Sequence, residues 1–100
     1  MKIALIELDF HVDSVDGICK IFEGSEHQLH IFTTEKNYTI LKNRSYATKH
    51  KWSLLRGKSK LSFLNSNNKE INSCDGVFIN TISADFGCFA KFNFKLIRIK

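Results

Sequence analysis

The feature that most constrains this chain is its opening. Residues 2–8 (KIALIEL) form a near-continuous apolar run, the pattern of a strand buried on both faces of a parallel sheet. A mostly polar stretch, 9–14, follows. Val15, Ile18, Cys19 and Phe22 then recur at i, i+3, i+4 and i+7, one stripe of an amphipathic helix. Asp13 or Ser14 is the expected N-cap and Gly24 the expected stop. Residues 28–34 (QLHIFTT) read as a second strand. Strand, helix and strand within about 33 residues is the size of a βαβ crossover.

Further along, residues 37–42 suit a short helix, and 50–55 (HKWSLL) a third strand ended by Arg56 and Gly57. Leu61, Leu64, Asn68 and Ile71 share a helical face, which predicts a helix over 59–73 despite its Ser-Asn-Asn centre. Asp75–Gly76 signals a turn, and 77–82 (VFINTI) a buried strand. Ser83 would cap a short helix carrying Phe86, Phe89 and Ala90, and 94–99 (FKLIRI) would be a last strand. The expectation is one α/β domain over residues 1–100, three-layered and Rossmann-like, with a mostly parallel sheet of about five strands. The expected core includes Leu5, Ile6, Ile18, Phe22, Ile31, Val77 and Ile79. Nothing follows the last strand, so one sheet face is expected to lack a covering helix. The chain then either pairs with something or is the N-terminal part of a longer one.

Composition narrows the class. A chain of 100 residues, 43% hydrophobic with twelve aromatics, can supply one core, which excludes a disordered or collagen-like protein. No run approaches the roughly 18 apolar residues of a transmembrane segment. Glu7 and Asp9 break the opening run, so no signal peptide is read, and a cytoplasmic location is expected. Cys19, Cys74 and Cys88 are widely spaced and odd in number, which implies buried thiols, not a disulfide framework. Residues 1–35 carry seven acids against two bases, whereas 36–100 carry thirteen bases against three acids. Such a split fits a basic binding face or a lysine-rich background.

Ligands of open α/β sheets lie beyond the carboxyl ends of the strands. That rule selects residues 9–14, 33–36 (with Thr33), 56–58 and 80–85. The first loop, DFHVDS, holds no glycine, and neither GxGxxG nor GxxxxGK[ST] occurs, so no nucleotide cofactor is implied. His11 lies just past a strand end beside Asp9 and Asp13; a carboxylate partner would orient it, as a general base requires. The bland alternative is an exposed loop histidine. His27, His30 and His50 have no zinc spacing, and no metal is expected. A phosphorelay receiver would need an aspartate ending the third strand, where the sequence reads LLRGKS. Lys49, Lys51, Arg56, Lys58 and Lys60, with Tyr46 and Trp52, could instead make segment 49–60 a basic patch with aromatic stacking for nucleic acid, or a solvated surface over a core tryptophan.

The opening MKIALIELDFHVDSVDGICKIFEGSEHQLHIFTT, with the later CDGVFINTISADFGCF, resembles the N-terminal domain of nucleotide-sugar-dependent glycosyltransferases of the two-Rossmann (GT-B) architecture. The resemblance covers nearly the whole chain as a pattern of elements; the first loop lacks the glycines often found there. It implies an acceptor-side domain that binds a sugar or glycolipid acceptor and is inactive without a C-terminal donor-binding domain. The positions it assigns to acceptor contact or catalysis are His11 as candidate base with Asp9 and Asp13, then Asn80, Thr81 and Ser83. Two other classes stand beside it: an interaction module forming a homodimer through an uncovered face or edge, and a weak nucleic-acid binder through 49–60.

Overall fold

The computed structural model describes residues 2–79 and the backbone of 96–98. In chain order the elements are β1 (Lys2–Glu7), α1 (Val12–Glu23), β2 (Gln28–Thr34), α2 (Glu35–Leu41), β3 (Lys51–Leu55), α3 (Lys60–Ser66), α4 (Asn68–Asn72), β4 (Gly76–Ile79) and β5 (Leu96–Arg98). The strands form one sheet in the order β3-β2-β1-β4-β5, and every pairing is parallel. This is a three-layer, Rossmann-like α/β arrangement. The strand order reverses at β1, which pairs with β2 on one side and β4 on the other.

Alternation along the central strands divides the core in two. Ile3 and Leu5 of β1, with Leu29 and Ile31 of β2, pack beneath Val15 and Cys19 of α1 and Leu41 of α2. Ala4 and Ile6, with Phe32, Val77 and Ile79, pack against Phe63 and Leu64 of α3 and Ile71 of α4. Both faces of the central strands therefore carry helices, which corrects the expectation of a bare face for the part described. The edge strand β3 is only partly covered.

Several boundaries differ from the sequence expectation for identifiable reasons. Helix α1 starts at Val12, before Asp13 and Ser14, because half-buried Val12 joins the apolar stripe. Its N-cap is His11, which makes no side-chain capping bond, while Gly24 ends the helix as expected, its N–H donating to Phe22 O. The helix expected over 59–73 is two helices. Asn67 interrupts it, its side-chain amide donating to Phe63 O at 2.8 Å in competition with the helical ladder. Gly57 takes a φ of 62° just past β3, a conformation that disfavours any side chain.

Leu5, Ile6, Ile31, Val77 and Ile79 are buried as expected. Ile18 and Phe22 are only half-buried, at the margin of the core, because Val15 and Cys19 hold the centre of the helix stripe. Tyr46 is buried, not part of a stacking surface; its hydroxyl donates to Asp16 at 2.6 Å. Burial raises the Cys19 thiol to about 12, so it stays protonated. Asn80, Thr81, Ser83 and the segment expected to form a helix with Phe86 lie outside the described residues. Among the described residues, no helix is long and apolar enough to cross a membrane.

Candidate functional site at the carboxyl end of the sheet

The crevice of an open α/β sheet forms where strand order reverses, beyond the strand carboxyl ends. In this chain that point is the end of β1, and its last residue is Glu7. Glu7 is fully buried, at 0% exposure. It shares alternation with Ile3 and Leu5, which directs its carboxyl to the α1 side. Burial raises its pKa to about 6, while the backbone N–H of Asp9 and the nearby His11 pull it back down. A carboxyl poised there exchanges a proton readily near neutral pH.

Glu7, Asp9 and His11 converge: one ligand-type atom from each lies within 4.8 Å of the others. The short connection between β1 and α1 brings them together. Asp9 N donates to Glu7 Oε2 at 2.8 Å, folding the loop back over the strand end. Lys60, at the start of α3 on the opposite face, donates to Asp9 Oδ1 at 2.7 Å. Lys60 thus sets a positive charge against the Asp9 carboxylate, close to the His11 imidazole. Two carboxylates and an imidazole are also donors a divalent cation could use, with Lys60 competing for Asp9.

A second layer holds this loop still. Thr33 Oγ1 donates to Glu7 O at 2.7 Å and accepts from Asn37 Nδ2 at 2.9 Å. The same Asn37 amide donates to Asp9 O at 2.9 Å. Thr33 and Asn37 are both fully buried. Thr33, expected to bind ligand, instead spends its hydroxyl on the scaffold. Asp13 lies exposed in the first turn of α1, outside the cluster, where its charge suits the positive end of the helix. The carboxylates brought near His11 are thus those of Asp9 and Glu7, not that of Asp13. As part of an apolar strand run, Glu7 read as a break in hydrophobicity; an acid ending a central strand was the available signal. Lys60 and Asn37 gave none, because their nearness to the loop is set by crossovers.

The basic segment is largely engaged within the molecule. Lys49 Nζ caps the carboxyl end of α1 through Phe22 O, Glu23 O and Ser25 O. Lys51 faces Glu70 at 3.6 Å and Arg56 faces Glu35 at 3.0 Å. The Trp52 indole N–H donates to Ala47 O, and its ring meets Tyr38 edge-on, centroids 5.1 Å apart.

The fold is an open α/β sheet, and Glu7, Asp9 and His11 gather at its topological switch point. Among solved structures, the chain is similar to the C-terminal domain of a hydrogenase from Pyrococcus furiosus, with a TM-score of 0.50 and 16% identity, covering 97% of this chain and 89% of that one. At that identity the likeness speaks to fold alone. No family model matches the chain, and no curated protein matches it in sequence.

Proposed function

We propose that this chain is the acceptor-side Rossmann-like domain of a nucleotide-sugar-dependent glycosyltransferase, with Asp9 and His11 receiving the acceptor hydroxyl and buried Glu7 behind them. The observation that carries the reading is the buried Glu7 carboxyl, raised to about 6 at the switch point and joined there by His11. A glycosyl acceptor must lose its hydroxyl proton as it attacks; His11 at the surface takes that proton, with the buried Glu7 carboxylate beside it to balance the imidazolium charge. Asp9, fixed by Lys60, is suited to hydrogen-bond a neighbouring hydroxyl. The donor half of the reaction belongs to a second domain, so the chain alone binds acceptor and transfers nothing. The sugar assignment itself rests on the sequence resemblance.

Ligand-observed NMR on the chain with simple sugars, with a nucleotide sugar as control, tests this. Saccharide binding that Glu7→Gln and His11→Ala both weaken at least tenfold is the expected result. Saccharides that fail to bind, or bind equally well to both variants, would overturn it. A second reading, a homodimer, is favoured by one feature: among the described residues, β3 ends the sheet and pairs on one side only. Sedimentation velocity at rising concentration distinguishes it, since the acceptor reading needs no self-association.

A further inference from the structure

A second imidazole network lies towards the amino ends of the strands, away from the crevice. His30 of β2 is 2% exposed, and its ring stacks on Phe32 with centroids 4.1 Å apart, which fixes its plane. Nδ1 lies 3.2 Å from Glu70 Oε1, and Nε2 lies 2.7 Å from Ser53 Oγ. Glu70 also meets Lys2 at 3.3 Å and Lys51 at 3.6 Å, and the Lys2 contact is the main cause holding its carboxyl below the usual range. An ionised Glu70 only accepts hydrogen bonds, so His30 must donate to it from Nδ1. Nε2 is then left unprotonated, facing the Ser53 hydroxyl. Burial first, then Lys51, keeps the imidazole neutral, against the opposing pull of Glu70. Ser53 is half-buried on the partly covered edge strand, so part of the residue meets solvent.

We propose that Ser53, His30 and Glu70 form a separate acyl-transfer site, with Ser53 Oγ as nucleophile toward small carboxylic esters. Ser53 Oγ bonds to the acyl carbon as its proton passes to His30 Nε2. The bond from that carbon to the ester's alcohol oxygen then breaks, and the alcohol leaves with the proton. Water repeats the sequence on the acyl-serine, releasing the acid and restoring Ser53. Glu70 positions the imidazole and balances its charge while it is protonated. Lys51, two residues before Ser53 on the same strand face, brings positive charge to the site for the tetrahedral oxyanion. This site is independent of the acceptor crevice.

The test is phosphonylation of the whole chain by a fluorophosphonate probe, with the modified residue read by mass spectrometry. The expected result is selective labelling of Ser53. Its rate should rise with pH and level off below the ordinary histidine value of about 6.5. Glu70→Gln should slow labelling at least tenfold without unfolding the chain, a separation a purely structural contact would not produce. Should His30→Ala fail to fold, Ser53→Cys supplies the second readout. The thiol introduced by that substitution should react with iodoacetamide at pH 6 at least tenfold faster than Cys74, whose thiol burial pushes up. Absent labelling, labelling spread over other serines, or an introduced thiol no faster than Cys74 would overturn the proposal.

Discussion

The two ends of this sheet each join a carboxylate to an imidazole, and they bury opposite members of the pair. At the carboxyl end the acid is inside: Glu7 is fully buried and its pKa is raised, while His11 stands at an exposed helix start. At the amino end the base is inside: His30 is buried and its pKa lowered, while Glu70 is partly exposed and held ionised by lysines. Desolvation disfavours whichever charge it encloses. The same pair of residue types thus becomes a carboxyl poised near neutrality in one place and a neutral, hydroxyl-bonded imidazole in the other.

The largest expected effect tests how far the amino-end network depends on its packing. Phe32→Ala removes the ring beneath His30 and a buried part of the core, and should cost about 3–5 kcal/mol in denaturant unfolding. Half-buried Phe22, which packs on His27 and Phe78, should cost less when truncated, about 1–2 kcal/mol.

His30→Ala should cost about 3 kcal/mol, since it opens a cavity and strips partners from Ser53 and Glu70. His11→Ala should cost less than about 0.5 kcal/mol because the side chain is at the surface. Equal losses from the two histidines would abolish the distinction drawn between the two ends.

pH sharpens the contrast, because the two buried groups act with opposite sign. Glu7 has a folded pKa of about 6 against an ordinary 4.5, so the folded state favours its protonated form. Its contribution is fully present below pH 4.5 and is lost as pH rises through about 6. Glu7→Gln should therefore stabilise the chain at pH 8 by about 2 kcal/mol, an advantage that vanishes towards pH 4.5. For His30 the folded state favours the neutral form, so its contribution is present above 6.5 and lost as pH falls. Unfolding curves of Glu7→Gln, His30→Ala and wild type at several pH values check both signs; an advantage for the Glu7 variant that grows on acidification would refute the Glu7 assignment.

A similarly small effect is expected at Lys60. Its pair with Asp9 is partly solvated, so Lys60→Ala should cost less than about 1 kcal/mol and lose sensitivity to added salt. A larger loss, unaffected by salt, would mean that the crevice depends on this charge for its shape.

How legible these sites were differs in the same way. The loop after β1 announced itself, because an apolar strand ending in acids and a histidine is a local pattern. The amino-end network gave no local sign. His30, Ser53 and Glu70 are separated by 23 and 17 positions, and each looked ordinary where it stood. Strand register brings the first two to one face, where His30 pairs with Lys51 and Phe32 with Ser53. Helix α4 then sets Glu70 against them.

Hydrophobic periodicity by itself determined the element types, the α/β class and most of the core, because burial repeats with period 2 or 3.6 along the chain. β2 could be read with its ends intact, from residue 28 to 34. Only the tertiary structure decided that β1 is central, that Thr33 and Asn37 serve the loop, that the lysines of 49–60 are mostly engaged, and which member of each acid–histidine pair is buried. Those outcomes depend on crossovers and strand order, which join residues distant in sequence, and on desolvation, which acts on a charge only once the chain has closed around it.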